Sequence, residues 1–136
     1  NRVFDIANSE VSIRENCGLL AYSPLAGGRL TGKYLNGKRP LNARYTLWPG
    51  RFSRHHTPRG EKAIEKYIEI SKKYEISIND LANAFVLSRP FVTSSIFGIT
   101  SCSQLKENLN CLKTELHPEI LNEIEQIHID DPNPCV

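Results

Sequence analysis

The stretch Gly18-Leu-Leu-Ala-Tyr22 decides the fold, because it is a short apolar run between two polar segments. The run is too short for a helix and suits a β-strand that is buried on both faces. In the segment before it, Asn8 or Ser9 can cap a short helix that continues to Asn16. A helix that leads into a buried strand is the repeating step of an α/β protein.

The second half of the chain continues this alternation. Apolar residues at helical spacing predict an amphipathic helix over residues 61–74. Ser77-Ile-Asn-Asp80 resembles a capping box and predicts a second helix that stops before Pro90. Residues 91–97 read as a strand, a helix begins at Ser101 or Ser103, and the last helix begins at Pro118. The order of elements is typical of a (β/α)8 barrel or a doubly wound sheet.

Residues 23–59 lack any regular period and contain four prolines and five glycines. A connection of this length is usually functional or mobile. Residues 16–60 also hold eight Lys or Arg and no Asp or Glu; the basic residues are Arg29, Lys33, Lys38, Arg39, Arg44, Arg51, Arg54 and Arg59. A charge run is often only a solvated face. Because this one begins inside a Gly-rich loop, we expect an anion site and a loop that gains order when the anion binds.

Two segments carry the strongest functional signal, and each directly follows a predicted strand. The first is Tyr22-Ser-Pro-Leu-Ala-Gly-Gly-Arg-Leu-Thr-Gly-Lys33, and the second is Phe97-Gly-Ile-Thr-Ser-Cys-Ser-Gln-Leu-Lys-Glu-Asn108. A Gly-rich turn and a helix N-terminus both present backbone N–H groups to an anion. A Gly-rich turn alone is more often only a turn, so the signal lies in the pair.

Together the two segments resemble the cofactor-binding segments of the aldo-keto reductases, and in particular those of bacterial Tas-like reductases and reductase-like potassium-channel β subunits. In the first segment, the resemblance places the ring of Tyr22 against the nicotinamide, where an aromatic face holds a planar ring by stacking. Lys33 and Arg44 are implied as cationic contacts for phosphate or for the adenosine end. The residues implied beside the pyrophosphate are Ser23, Pro24, Leu25, Ala26 and Gly27.

In the second segment, the resemblance implies that Gly98 and Thr100 supply the turn and a hydroxyl. Gln104, Glu107 and Asn108 lie within one helical turn of each other, and in the family this set holds the adenosine. Many members carry a Lys where this chain has Gly98, a departure shared with the potassium-channel β subunits. The cofactor that the resemblance implies is NADP (as NADPH). Because this chain has Gly98 in place of the Lys, NAD is an alternative.

The family folds as a (β/α)8 TIM barrel that transfers a hydride from NADPH to a small carbonyl substrate. Its catalytic Asp, Tyr, Lys and His come from the first half of the barrel, and those motifs are absent from this sequence. We therefore expect residues 1–136 to be the C-terminal part of a reductase domain, with no catalytic residue of its own, inactive alone, a cofactor-side loop at 23–59 and a frayed tail at 130–136. A non-catalytic dinucleotide-binding remnant and a regulatory subunit are the alternatives.

Composition and motifs argue against several other classes. The hydrophobic content of 40% and charged content of 24% are those of a globular protein. No apolar run approaches the about 18 residues that span a bilayer, and no signal peptide is apparent. These features predict a cytoplasmic protein without a membrane partner; the oligomeric state is not predicted.

Neither a metal site nor nucleic-acid binding is favoured by the sequence. The four cysteines lack a C-x-x-C spacing, and the adjacent His55 and His56 lack the spacing of a helical metal site, so no metal is predicted. Residues 62–89 read as helix, turn, helix beside a basic segment, as in a DNA-binding motif. The second of these helices carries no Lys or Arg before Arg89, which argues against a nucleic-acid partner.

Overall fold

The structure, a computed structural model, describes residues 2–50 and 53–135. Two strands and a series of helices alternate along the chain, as the sequence predicts for an α/β protein. In chain order they are α1 (Val3–Ala7), α2 (Ser9–Arg14), β1 (Leu19–Tyr22), α3 (Arg44–Leu47), α4 (Pro58–Lys73), α5 (Ile78–Leu87), β2 (Val92–Ile96), α6 (Cys102–Asn110) and α7 (Pro118–Asp130).

The two strands pair in parallel and form a two-stranded sheet. The register places Leu19 opposite Val92 and Tyr22 opposite Ile96. Gly18 permits the close approach at the start of β1, because a Cβ at this position would lie 1.7 Å from the Thr93 hydroxyl oxygen. Since the strands are parallel, their carboxyl ends lie at the same edge of the sheet.

The main core lies between α4, α5 and α7. Its buried side chains are Ala63, Ile70, Leu81, Ile120, Ile124 and Ile127. Ile120, Ile124 and Ile127 recur at three- and four-residue spacing along α7, and Ala63 and Ile70 lie about two turns apart on α4, so one apolar face of each of these helices is removed from water, as predicted. Full burial of each large aliphatic side chain contributes about 1.5 to 3 kcal/mol to folding. No helix in the described part of the chain combines the length and the apolar character needed to cross a membrane.

Helices α4 and α5 each begin directly after a residue whose side chain caps the first turn. The Ser77 side chain accepts a hydrogen bond from the Asp80 amide at 3.0 Å, which confirms the predicted cap of α5. Helix α4 begins earlier than Glu61, at Pro58, because Thr57 caps it by accepting from the Gly60 amide at 2.9 Å. Proline is favoured at the first helical position.

The N-terminal segment differs from the prediction. Helix α2 occupies the predicted place but ends at Arg14 instead of Asn16, and the Asn8 side chain makes no capping hydrogen bond. A further short helix, α1, precedes it and was not predicted. Helix α1 is held by tertiary contacts: the Phe4 ring lies 5.2 Å from that of Phe91, and Arg2 pairs with Glu125 at 2.6 Å. These partners are distant in sequence, so a local pattern does not reveal them.

The described part of the tail, which the sequence predicts to fray, lies against the start of α4. Helix α7 extends to Asp130, and Asp131 pairs with Arg59. The Thr57 hydroxyl donates to the carbonyl oxygen of Pro134. Through these contacts, residues 131–135 are tied to the residue that caps α4.

Candidate functional site

The two segments singled out in the sequence meet at one edge of the sheet. Tyr22 and Ile96, the last residues of β1 and β2, are paired in register. The amide of Ser23, at the start of the first segment, donates to the carbonyl oxygen of Ile96 at 3.0 Å. The loop after β1 and the turn after β2 therefore leave the sheet side by side, at the carboxyl edge where open α/β sheets and barrels bind ligands.

One face of the sheet is open. Leu20, Tyr22, Ser94 and Ile96 are all exposed, and the first two are 58% and 68% accessible. The expectation that β1 is buried on both faces therefore fails for the described residues. The exposed ring of Tyr22 stands at the end of the strand, where it is available for stacking.

The backbone of the Gly-rich loop is unusual because residues other than glycine adopt positive φ. Ser23 has a φ of 58° and Ala26 one of 49°, followed by Gly27 at 66° and Gly28 at 95°. Left-handed backbone outside glycine costs of order 1 to 3 kcal/mol per residue and clusters at ligand-binding sites. Gly27 is required for a second reason, since a Cβ there would lie 2.9 Å from the Tyr45 hydroxyl.

Residues 23–59 are more regular than the sequence predicts. Short 3-10 turns occur at Ala26–Gly28 and Leu35–Gly37, and α3 follows. Tyr34, Ala43 and Tyr45 form a small separate core, in which the two tyrosine rings meet edge to face at 5.1 Å. The sequence does not reveal this core, because its members are spaced at no helical or strand period.

The two predicted cationic contacts, Lys33 and Arg44, are exposed. The Lys33 ammonium nitrogen is 3.1 Å from where a Cβ on Gly28 would stand, so it lies directly over the Gly-rich turn. Arg44 is the first residue of α3. Arg29, another member of the basic run, is instead buried and paired, and Arg51 lies outside the described residues.

The surroundings of Tyr45 show that positive charge gathers beside the loop. Burial raises the pKa of the Tyr45 phenol, and this effect is opposed by the positive charges of Arg29, Arg44 and Arg54. The same phenol donates to the carbonyl oxygen of Ala26 at 3.3 Å. The loop that follows β1 therefore lies in an electropositive environment, which suits an anionic ligand.

The turn after β2 is closed by its own side chains. Ser101 caps α6 by accepting from the Gln104 amide at 3.3 Å. The Gln104 side-chain oxygen accepts from the amide of Thr100 at 2.8 Å and from its hydroxyl at 3.1 Å. Gly98 is exposed and a Cβ there would meet nothing within 4 Å, so the position has room for a side chain or a ligand.

Glu107 and Asn108, the last two predicted adenosine contacts, differ in exposure. Glu107 is exposed and accepts from the Asn79 amide group at 3.4 Å. Asn108 is only 5% accessible, and its Oδ1 accepts from Asn83 at 3.4 Å. The Nδ2 amide of Asn108 takes no part in this contact.

Asn79 and Asn83 of α5 were not identified from the sequence. They lie four residues apart on the side of the helix that faces α6, and Asn83 is only 1% accessible. Asn83 also donates to the carbonyl oxygen of Asn79 at 2.9 Å. An asparagine between Leu81 and Ala84 on the inward face of an amphipathic helix was the available signal.

Two further patterns of the sequence are the adjacent histidines and the helix-turn-helix. No group of three His, Cys, Asp or Glu that could hold a metal occurs in residues 2–50 and 53–135. Helix α5, the second helix of the helix-turn-helix alternative, packs against β2, α4 and α6. A recognition helix would instead present its length to a DNA groove.

Comparison with known proteins identifies the family of the chain. A model of the Aldo/keto reductase family matches residues 2–129. Protein tas of Escherichia coli K12 is 44% identical over 128 residues, which cover 94% of this chain and 37% of that protein. An aldo-keto reductase of Babesia bovis is 38% identical over 120 residues, covering 84% and 42% of the two chains. A probable voltage-gated potassium channel subunit beta of Oryza sativa is 33% identical over 114 residues, covering 81% and 35%.

The chain therefore belongs to the aldo/keto reductase family. Its relatives include proteins named as aldo-keto reductases, as an oxidoreductase and as potassium channel beta subunits. The chain spans about a third to two fifths of the length of the relatives it matches. The resemblance inferred from the two loop segments is confirmed.

Proposed function

We propose that this chain forms the dinucleotide-binding part of an NADP(H)-dependent reductase that converts a carbonyl to an alcohol. The observation that carries the proposal is the pairing of Tyr22 with Ile96, which brings both cofactor-type segments to one edge of a parallel sheet. Their donor sets fit a dinucleotide: an exposed ring, strained backbone with small residues, exposed cations, and a capped helix N-terminus. When bound, NADPH supplies the hydride.

At the nicotinamide end, the exposed Tyr22 ring stacks on the pyridine ring and fixes its orientation. The backbone from Ser23 to Gly27 approaches the pyrophosphate, because left-handed residues and glycine keep side chains out of its path. Lys33, which lies over Gly28, neutralises phosphate charge, and Arg44 serves as a second cation.

At the adenosine end, Glu107 accepts a hydrogen bond from the adenine amino group, and the Asn108 amide lies beside it. Gln104 braces the turn through Thr100 and borders the ribose phosphate. Gly98 contributes no positive charge, so discrimination between NADPH and NADH depends on the basic loop. We therefore expect NADPH to be preferred and NADH to be accepted.

The open sheet face supports a larger barrel. Leu20, Tyr22 and Ile96 are exposed apolar side chains on one face, and a groove of about 710 Å³ runs beside the sheet between apolar residues of α4 and α5. Contiguous apolar surface of this kind is covered in a stable protein. In the proposal, β1 and β2 are the last two strands of a (β/α)8 barrel. Residues 1–136 are its C-terminal part. A Tyr of the other half donates the proton, assisted by the Asp, Lys and His of that half.

The test uses the full protein. NADPH and NADH are titrated by calorimetry, and the loss of NADPH absorbance is followed with a small aromatic aldehyde as substrate. The proposal predicts saturable NADPH binding, weaker NADH binding and turnover of the aldehyde. Absence of dinucleotide binding would refute the proposed site, whereas binding without turnover would refute only the reductase activity.

A second candidate, a regulatory subunit that binds a dinucleotide without catalysing reduction, is favoured by one observation. Proteins named as voltage-gated potassium channel beta subunits in Oryza sativa and Arabidopsis thaliana are each 33% identical to this chain. Binding of NADPH with no turnover of any aldehyde tested supports this candidate.

A further inference from the structure

Arg29 is the buried cation of the Gly-rich loop. It is 3% accessible, and the two terminal nitrogens of its guanidinium have different partners. One nitrogen, Nη2, lies 3.1 Å from a carboxylate oxygen of Glu61 in the first turn of α4. The other, Nη1, lies 3.0 Å from Nδ1 of His56. A planar fork can bond two partners at once, which a lysine ammonium in this place cannot reproduce.

A second connection runs parallel to the first. The Tyr45 ring meets the His56 ring edge to face, with centroids 4.6 Å apart, and the Tyr45 hydroxyl donates to the carbonyl oxygen of Ala26. Arg29 and Ala26 flank the left-handed turn of Gly27 and Gly28. The turn is thus fixed from both sides to the segment that precedes α4.

We propose that Arg29 is a positioning residue for the cofactor loop: its fork, closed on Glu61 and on a neutral His56, holds the turn at Ala26–Gly28 ready for the pyrophosphate. We call the two contacts of Arg29, with Glu61 and with His56, the latch. Protonation of His56 breaks the second contact and so opens the latch. The inference rests on the proposed dinucleotide site, because it assigns the latch a role in that binding. Arg29 and Lys33 thus have different roles: the exposed lysine contacts the anion, whereas the buried arginine fixes the loop backbone that surrounds the anion.

The protonation state of His56 follows from the geometry. A guanidinium carries only donors, so Nδ1 of His56 must accept and the ring proton lies on Nε2. A second proton would turn Nδ1 into a donor that faces Nη1 of Arg29. Burial and the positive charges of Arg29 and Arg39 lower the pKa of His56, while Glu61 raises it to a smaller extent. Tyr45 meets the His56 ring edge to face and brings no charge to it. Because the pKa of His56 is lowered, the neutral imidazole is favoured at neutral pH.

The test follows amide hydrogen exchange of residues 25–30 without cofactor and titrates NADPH in the full protein. Arg29→Lys keeps the charge and removes the fork. His56→Asn offers an amide oxygen near the place of Nδ1 and does not titrate. Lys38→Met removes an exposed cation of the same loop and serves as the matched control.

Arg29→Lys is expected to speed exchange at residues 25–30 and to weaken NADPH binding about tenfold, through loss of preorganisation. Lys38→Met should change neither. An Arg29→Lys protein that retains wild-type exchange and affinity would overturn the latch. Unchanged hydrogen exchange in α7 verifies that the variant is folded. If Arg29→Lys instead loses protection throughout the chain, the same comparison is made with Glu61→Gln, which weakens only the contact between Arg29 and residue 61.

The pH dependence supplies the separate readout. From about pH 8 to about pH 5.5, wild-type exchange at residues 25–30, corrected for intrinsic rates, should accelerate, and His56→Asn should abolish this acceleration. An identical pH profile in both proteins would overturn the role of His56. If the wild-type protein fails to bind NADPH, the proposed function fails, while the exchange data still decide whether the latch exists.

Discussion

Asn83 of α5 donates a hydrogen bond to Asn108 of α6 across a buried contact of 3.4 Å. The neighbouring pair repeats this arrangement at the surface, where Asn79 donates to Glu107. Two side chains of one helix therefore orient the two residues that we assign to the adenine. Asn108 is buried and Glu107 is exposed. Substitution of Asn108 should therefore affect both NADPH binding and stability, whereas substitution of Glu107 should affect mainly binding.

Glu107→Ala should weaken NADPH binding by about 1 to 3 kcal/mol, because a hydrogen bond buried in the complex is lost. Its effect on thermal stability should be small, since Glu107 is exposed. Asn108→Ala should weaken binding and also lower stability, because it removes one of the two acceptors of the buried Asn83 amide. Calorimetric titration and thermal melts measure the two quantities. Equal NADPH affinity in Glu107→Ala and wild type would contradict the adenine assignment.

Tyr22→Ala should weaken NADPH binding, whereas Tyr22→Phe should retain it. A stacked aromatic contact contributes about 0.5 to 1.5 kcal/mol beyond its area, and phenylalanine preserves the ring. Binding of adenosine 2′,5′-bisphosphate, which lacks the nicotinamide, should be the same in all three proteins. Leu20→Ala is the matched control, since this side chain is exposed on the same sheet face. A loss of bisphosphate binding in Tyr22→Ala would place the ring elsewhere.

Thr57→Ala should cost about 0.5 to 2 kcal/mol of stability through loss of the α4 cap, and it should also release the C-terminal tail. The Thr57 hydroxyl both caps α4 and donates to Pro134. Ser77→Ala removes the comparable cap of α5. The Ser77 hydroxyl bonds to Asp80 and makes no hydrogen bond with the described part of the tail. Chemical denaturation measures stability, and hydrogen exchange at residues 131–135 reports release. Faster tail exchange in both variants would show that general destabilisation is the cause.

Glu125→Gln should reduce the loss of stability in acid. The hydrogen bond from Arg2 lowers the pKa of Glu125 below its ordinary value of 4.5. A carboxylate whose pKa is lower in the folded state stabilises the fold above its unfolded pKa, and this contribution disappears as pH falls through the folded pKa. Denaturation midpoints at a series of pH values below about 5 should fall more steeply in wild type than in the variant. Parallel curves would exclude a contribution from this pair.

Residues 1–136 by themselves should show no NADPH-dependent reduction of an aldehyde. The proposed proton donor and its Asp, Lys and His partners have no matching motif in this sequence. Aldehyde turnover by the purified chain, measured beside the full protein as a positive control, would show that a proton donor exists within these residues.

The local sequence determined the elements and the family. The apolar run that ends at Tyr22, the Ser77 and Ser101 caps, and the spacing of Ile120, Ile124 and Ile127 all act within a few residues, and the structure confirms each. The two loop segments identified the family because a dinucleotide site requires particular residues immediately after a strand. The roles of individual site residues remain predictions.

Tertiary structure decided which polar residues are exposed and which are paired. Arg29 and Lys33 belong to one basic run, yet Arg29 is buried between His56 and Glu61 while Lys33 is exposed. The small core of Tyr34, Ala43 and Tyr45, and the contact of Asn83 with Asn108, likewise join residues that follow no shared period. Burial and pairing depend on distances between segments that are remote along the chain, and a pattern of neighbouring residues contains no information about those distances.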